Sequence, residues 1–318
     1  MTRGNNAQRR CYGIARLAQS RRIVSRMRNF AVLLATLITL PLAANEWLAG
    51  TWIRAERKLD RAVAEAKTPA AEARLLAKRA HFLLDRNVYH RADSERARVA
   101  IDEALAAAKR SGDATAIALA MHARSRFLYF GALDGDGNFA AADASIDESL
   151  QVQELADAWF YRGLVRQMRE EYAPARAAFE HVLVLTNDPL VRSFAHRHIG
   201  YLIELGGDAD AARVHYRKSV DQRRESGAHV LVPFALNLLA DSEKDRARAI
   251  ELLHESTAAA RCSKSWRALN AAEAKLAELS ANREVAVKHA RRALDAAQSY
   301  GDAAMIAEAR TKLAELSH

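Results

Sequence analysis

The stretch AWFYRGLVRQMREEYAPARAAFEHVLVLTNDP, residues 158 to 189, carries Trp159, Gly163, Tyr172, Ala175, Phe179 and Pro189. The stretch from 193 to 220, SFAHRHIGYLIELGGDADAARVHYRKSV, repeats its layout. Gly200 matches Gly163, Ala212 matches Ala175 and Tyr216 matches Phe179, each 37 residues on. The same step leads to Ala249 in DRARAIELLHES and to Ala286 in REVAVKHARRALDAA. Toward the N-terminus, Ala142 with Ile146 and Ala97 with Ile101 hold the same role at spacings of 33 and 45. A self-similar period of this length is the mark of a repeat architecture.

These residues resemble a tetratricopeptide repeat. In that family a small residue and an aromatic one interlock two helices of a hairpin, and the resemblance covers roughly residues 70 to 316. It departs at Arg162 and Arg166, where Leu and Tyr would be usual, and its proline comes slightly late. The resemblance implies an all-α fold, a right-handed α-solenoid of about six hairpins with first helices lining its concave wall. First helices are expected near 70–85, 113–131, 155–169, 190–205, 230–241 and 266–280. Second helices are expected near 94–110, 138–152, 173–186, 209–225, 245–261 and 283–299. A hairpin of this size cannot bury its apolar face alone, so neighbours must stack and the ends must be closed. A last helix over 302–316 is expected to close the C-terminal end, and a helix over 45–68, ended by Thr68-Pro69, either caps the N-terminal end or forms a stalk. Leu48, Trp52, Leu59 and Val63 mark its apolar side.

Composition supports helices. Half of the 318 residues are hydrophobic, only five are Pro and 13 are Gly. The net charge is +9. Eight arginines and no acidic residue fall in residues 1–44, which leaves +1 for the rest of the chain. The body therefore has no basic stripe for neutralising phosphates, and nucleic acid is not an expected partner. Cys11 and Cys262 are the two cysteines, so a body beginning after residue 44 has no disulfide.

Residues 27–46, MRNFAVLLATLITLPLAANE, have the order of an export leader: basic residues, the uncharged run Phe30 to Leu40, Pro41, then Ala43 and Ala44. That run suits a signal h-region and is short for a membrane span. Residues 1–44 are read as a cleaved signal peptide, starting at Met1 or Met27, which places the body 69–318 in the periplasm or outside the cell. The alternative is a single retained anchor in the inner membrane.

Motifs that carry chemistry are missing. There is no G-x-S-x-G, no phosphate loop and no G-x-G-x-x-G. DGDGN at 134–138 opens like a calcium loop, but Phe139 and Ser145 stand where Gly and Glu are required. It reads instead as the turn inside a hairpin, with Asp136 or Asn138 as the following cap. No two of the eleven histidines are four apart, so no helix presents a His pair, and they are expected at surfaces and interfaces. Cys262 is expected to be small and buried, and Phe127, Tyr129 and Phe130 to be core. No enzyme, metal or cofactor is expected. The resemblance implies a protein or peptide partner held on the concave wall. Aligning Gly163, Gly200 and Asn237 places Asp157, Phe160, Gln167, Arg197, Tyr201, Glu204, Phe234 and Asp241 there. A ligand-sensing module of a membrane-anchored signalling system is the alternative. The end of this chain directly after the closing helix, with no output domain, counts against it.

Overall fold

The computed structural model describes residues 52–90, 94–135 and 138–317. The leader at 1–44, the beginning of the N-terminal helix and Asp136 lie outside them. The described residues are all-α, with fourteen helices and no strand. Contacts divide the chain between Arg169 and Glu170, inside the stretch expected to form a single repeat domain, and each compact unit is described by itself.

The first unit contains α1 (Trp52–Ala64), α2 (Pro69–His90), α3 (Ser94–Ser111), α4 (Ala114–Asp134), α5 (Phe139–Val152) and α6 (Ala156–Met168). Each packs on the next in sequence, and α4 also packs on α2 and α6. Alanine lets these helices approach closely: Ala73, Ala77, Ala80, Ala97, Ala100 and Ala104 meet Phe82, Leu83 and Ile101 in one apolar cluster. α1 docks on α2, with Ala55 buried and Leu59 and Val63 packed on the same cluster. Its polar side is tied down by Glu56 to Arg96 and by Asp60 to Arg79 at 3.1 Å. Turn chemistry sets the boundaries. Asp113 caps α4 by accepting from Ala116 N at 2.8 Å, and Gly135, at φ 90°, ends it in the left-handed conformation that glycine adopts without strain. Asn138 is the cap of α5, accepting from Ala140 N at 2.7 Å.

Arg162 and Arg166, the two departures from the repeat pattern, have a local reason. Both reach α5: Arg162 pairs with Asp147, and Arg166 with Asp143 at 2.8 Å. Arg169 adds a second bond to Asp143 at 3.1 Å, and Arg162 also lies over the Trp159 ring at 4.7 Å. Ion pairs replace the apolar contacts that the pattern would supply.

The second unit contains α7 (Tyr172–Leu185), α8 (Pro189–Leu205), α9 (Ala209–Glu225), α10 (Val232–Asp241), α11 (Arg246–Ser263), α12 (Trp266–Leu279), α13 (Arg283–Tyr300) and α14 (Ala303–Ser317). Here too each helix packs on the next, and α10 also packs on α12. Asp188, Asp208, Asp245 and Asn282 cap α8, α9, α11 and α13 from the turn before each. α14 packs on α13 and buries only Ala309 fully, leaving its other side to solvent.

The register alanines Ala175, Ala212, Ala249 and Ala286 are all buried. The interlock can be seen at Gly200. A Cβ there would stand 2.7 Å from Cε1 and 2.8 Å from Cδ1 of Tyr216, and 3.1 Å from the carbonyl oxygen of Ala212. The glycine lets the Tyr216 ring lie against the α8 backbone. Gly200→Ala should therefore destabilise the protein by about 1–3 kcal/mol through overpacking, against its small gain in helix propensity. Gly131→Ala, inside α4 with nothing within 4 Å of a new Cβ, should stabilise by about 0.4–1 kcal/mol. Urea unfolding of the two variants checks the opposite signs. In α10 the position equivalent to Gly200 is Asn237, and a polar bridge takes over there. Its Nδ2 donates to Ala268 O at 3.0 Å and its Oδ1 accepts from Ser256 Oγ at 2.6 Å, which joins α10, α11 and α12.

Candidate functional site

The expected wall residues divide by burial. In the first unit, Asp157 is half-buried, but Phe160 is 0 % and Gln167 5 % exposed. These last two are corrections. Phe160 packs edge-on against the Tyr161 ring at 6.0 Å, and a partner cannot touch a side chain with no accessible surface. In the second unit Arg197, Tyr201 and Glu204 are half-buried on α8, Phe234 is half-buried on α10, and Asp241 is exposed at its end. Arg197, Tyr201 and Glu204 are spaced by four and three, so they share one face of α8.

That face is electrostatically coupled. Glu204 accepts a hydrogen bond from Tyr216 Oη at 2.7 Å. Burial pushes the Tyr201 hydroxyl up to about 12. Burial also lowers Arg197 to about 10, with Tyr216 and Tyr201 pulling the other way. Asp241 reaches across to Lys275 Nζ of α12 at 3.9 Å. Aromatic surface and both signs of charge thus lie on α8, α10 and α12.

Sequence spacing missed the histidine pairs, because they form between helices. His81 of α2 and His122 of α4 have ring centroids 5.2 Å apart, His196 of α8 and His215 of α9 5.1 Å, and His254 of α11 and His289 of α13 6.0 Å. Five histidines are buried, where surface and interface positions were expected. His198 stacks on Phe179 at 4.9 Å, and burial holds it neutral, well below its ordinary range. Burial first, then His215, lowers His196 to about 4. Among the described residues, no three His, Cys, Asp or Glu side chains stand where they could share a metal ion.

A buried polar network in the first unit was equally invisible in the sequence. Arg126 of α4 is 1 % exposed, and its partners include Asp85, His81 and Tyr161. Its Nη2 meets Asp85 Oδ1, its Nη1 meets His81 Nδ1 at 2.8 Å, and its Nε meets Tyr161 Oη at 3.0 Å. His81 completes the arrangement by donating from Nε2 to Leu119 O at 3.0 Å, so its Nδ1 is the bare nitrogen that accepts from Arg126. Burial and then Arg126 lower His81 to about 3, which keeps it in that neutral form. Burial works against the charge on Arg126, but Tyr161 and Asp85 outweigh it and hold the guanidinium protonated. Burial pushes Asp85 up to about 7 in spite of Arg126 beside it. The network ties α2, α4 and α6 together. Tyr129 and Phe130 are core beside it, as expected, and Phe127 packs on the neighbouring apolar cluster.

Cys262 corrects another expectation, because it is exposed. α11 buries Leu252, Leu253, Ser256, Thr257 and Ala260, and the 3.6-residue period turns position 262 away from that face. Among the described residues no helix is long and apolar enough to cross a membrane. No protein-family model matches the chain, and no curated protein matches it.

Proposed function

We propose that the chain is a non-enzymatic helical-repeat scaffold that holds a protein or peptide partner on the wall formed by its first helices. The observation that carries this reading is the α8 face with half-buried Arg197, Tyr201 and Glu204, together with half-buried Phe234 and exposed Asp241 on α10. Aromatic surface gives a partner area to cover, and charges of both signs set its register. The repeat character is supported by the order of packing inside each unit, where helices meet their sequence neighbours, and α2 also meets α4, α4 meets α6 and α10 meets α12. A right-handed solenoid of tetratricopeptide type fits that order and the recurring buried alanines. The leader-like segment supports a periplasmic or secreted location, with a membrane-anchored form as its alternative.

The test is partner recovery from the native compartment using the full chain, compared with Tyr201→Ala and Asp241→Lys. Neither change touches a fully buried side chain, so circular dichroism should be unchanged. Tyr201→Ala should weaken retention of the partner about tenfold or more, as loss of an interface aromatic does. Undiminished recovery by both variants would remove this wall from the reading.

A further inference from the structure

A cleft of about 450 Å³ opens in the second unit between α11, α12 and α13. Its size is that of a small-molecule site. α11 lines it with Arg246, Ile250 and His254, one helical turn apart, and α13 lines it with Val285 and His289. Leu276 and Leu279 of α12 complete the wall. The cleft therefore has an arginine at one end, an apolar middle and two imidazoles at the other end. No Asp or Glu lines it.

Arg246 and His289 are held in place. Arg246 Nη2 donates to Leu279 O at 2.5 Å, which draws the guanidinium across the end of α12. Among the described residues no carboxylate is within ion-pair distance of Arg246, so its charge has no acidic partner. At the far end His289 donates from Nδ1 to Glu273 Oε2 at 2.7 Å, and Glu273 is itself 1 % exposed and bound on its other oxygen by Arg261. A carboxylate on Nδ1 orients the ring and leaves Nε2 as the nitrogen available to a ligand. Val285, in the middle, is 40 % exposed, which is apolar surface that an occupant would cover.

We propose that this cleft binds a small monocarboxylate with an apolar body, its carboxylate on Arg246 and its body on Ile250, Leu276 and Val285. The charge pattern selects this class. An anion answers the Arg246 cation, nothing acidic repels it, and the apolar middle rejects a small hydrated ion. The site is separate from the α8–α10 wall and does not depend on it.

Octanoate is the probe, titrated calorimetrically into the full chain, with octanol and acetate as comparisons. Octanoate should bind saturably at one site and shift the ring-proton signals of His254 and His289. Octanol should bind about tenfold more weakly, the difference a charge-assisted hydrogen bond makes, and acetate should not bind measurably. Arg246→Gln should weaken octanoate about tenfold and leave octanol unchanged. Val285→Glu, which places a carboxylate in the cleft, should abolish octanoate binding. Both positions are accessible to solvent, so both variants should keep the wild-type circular dichroism. No saturable octanoate binding, or binding indifferent to both substitutions, would overturn the proposal.

Discussion

Asp85→Ala should destabilise the first unit by about 3–5 kcal/mol, measured by urea unfolding at pH 8. The substitution removes the buried carboxylate that Arg126 faces and leaves a guanidinium inside the protein with neutral Tyr161 and His81 beside it and only the field of half-buried Asp157 opposing its charge. Arg126 stays protonated, and Tyr161 and His81 offer dipoles where Asp85 offered a countercharge. The pH is chosen above about 7, where Asp85 gives up its proton and the pair is fully ionised. The double variant Asp85→Leu with Arg126→Met removes both charges together and should recover most of the loss, because a well-packed apolar pair replaces a buried ion pair at little net cost. A loss below about 1 kcal/mol in the single variant would mean that water or another group solvates Arg126, and the enclosed network would be wrong.

Arg223→Met should have the opposite sign and stabilise the second unit by about 1–4 kcal/mol. Arg223 of α9 is 0 % exposed. It donates from Nη1 to Leu231 O at 2.8 Å and lies over the Phe194 ring at 5.2 Å. Its Nε and Nη2 have no hydrogen-bond partner, and among the described residues no carboxylate pairs with it. Burial, reinforced by Arg197, lowers it to about 9. Methionine matches the length of the stem and removes the uncompensated charge, at the cost of about 1 kcal/mol for the lost bond to the Leu231 carbonyl, which keeps its bond from Ala235 N. A higher urea midpoint is the expected result. A fall of more than about 1 kcal/mol would show that Arg223 has an anionic partner in the native protein.

Asp85 and Arg223 show where reading the sequence reached its limit. Both lie on helices located correctly from spacing, near 70–85 and 209–225 against the observed Pro69–His90 and Ala209–Glu225. Helix ends were legible because capping is local: an Asp or Asn accepts from a backbone N–H two or three residues ahead. The 37-residue register was legible because interlocking positions need small residues, and Ala212, Ala249 and Ala286 are buried as that requires. The same register misled at Phe160 and Gln167. Periodicity gives the direction of a side chain from its own helix, but says nothing of what the neighbouring elements place over it.

The sequence by itself determined the all-helical character of the described residues, the positions of their helices and turns, and the small residues at which they meet. The helices and turns follow from interactions within a few residues of each position, and the small residues from the repeat of one spacing. Only the tertiary structure decided which polar groups are enclosed and with whom. It placed Arg126 against Asp85 and His81, left Arg223 without an acid, turned Cys262 outward, and brought His254 and His289 to one end of a cleft. Apart from Cys262, which faces away from the buried side of its helix, each of these depends on elements brought together by packing. The price of burying a charge depends on the partners that packing supplies, and spacing along one chain carries no record of them.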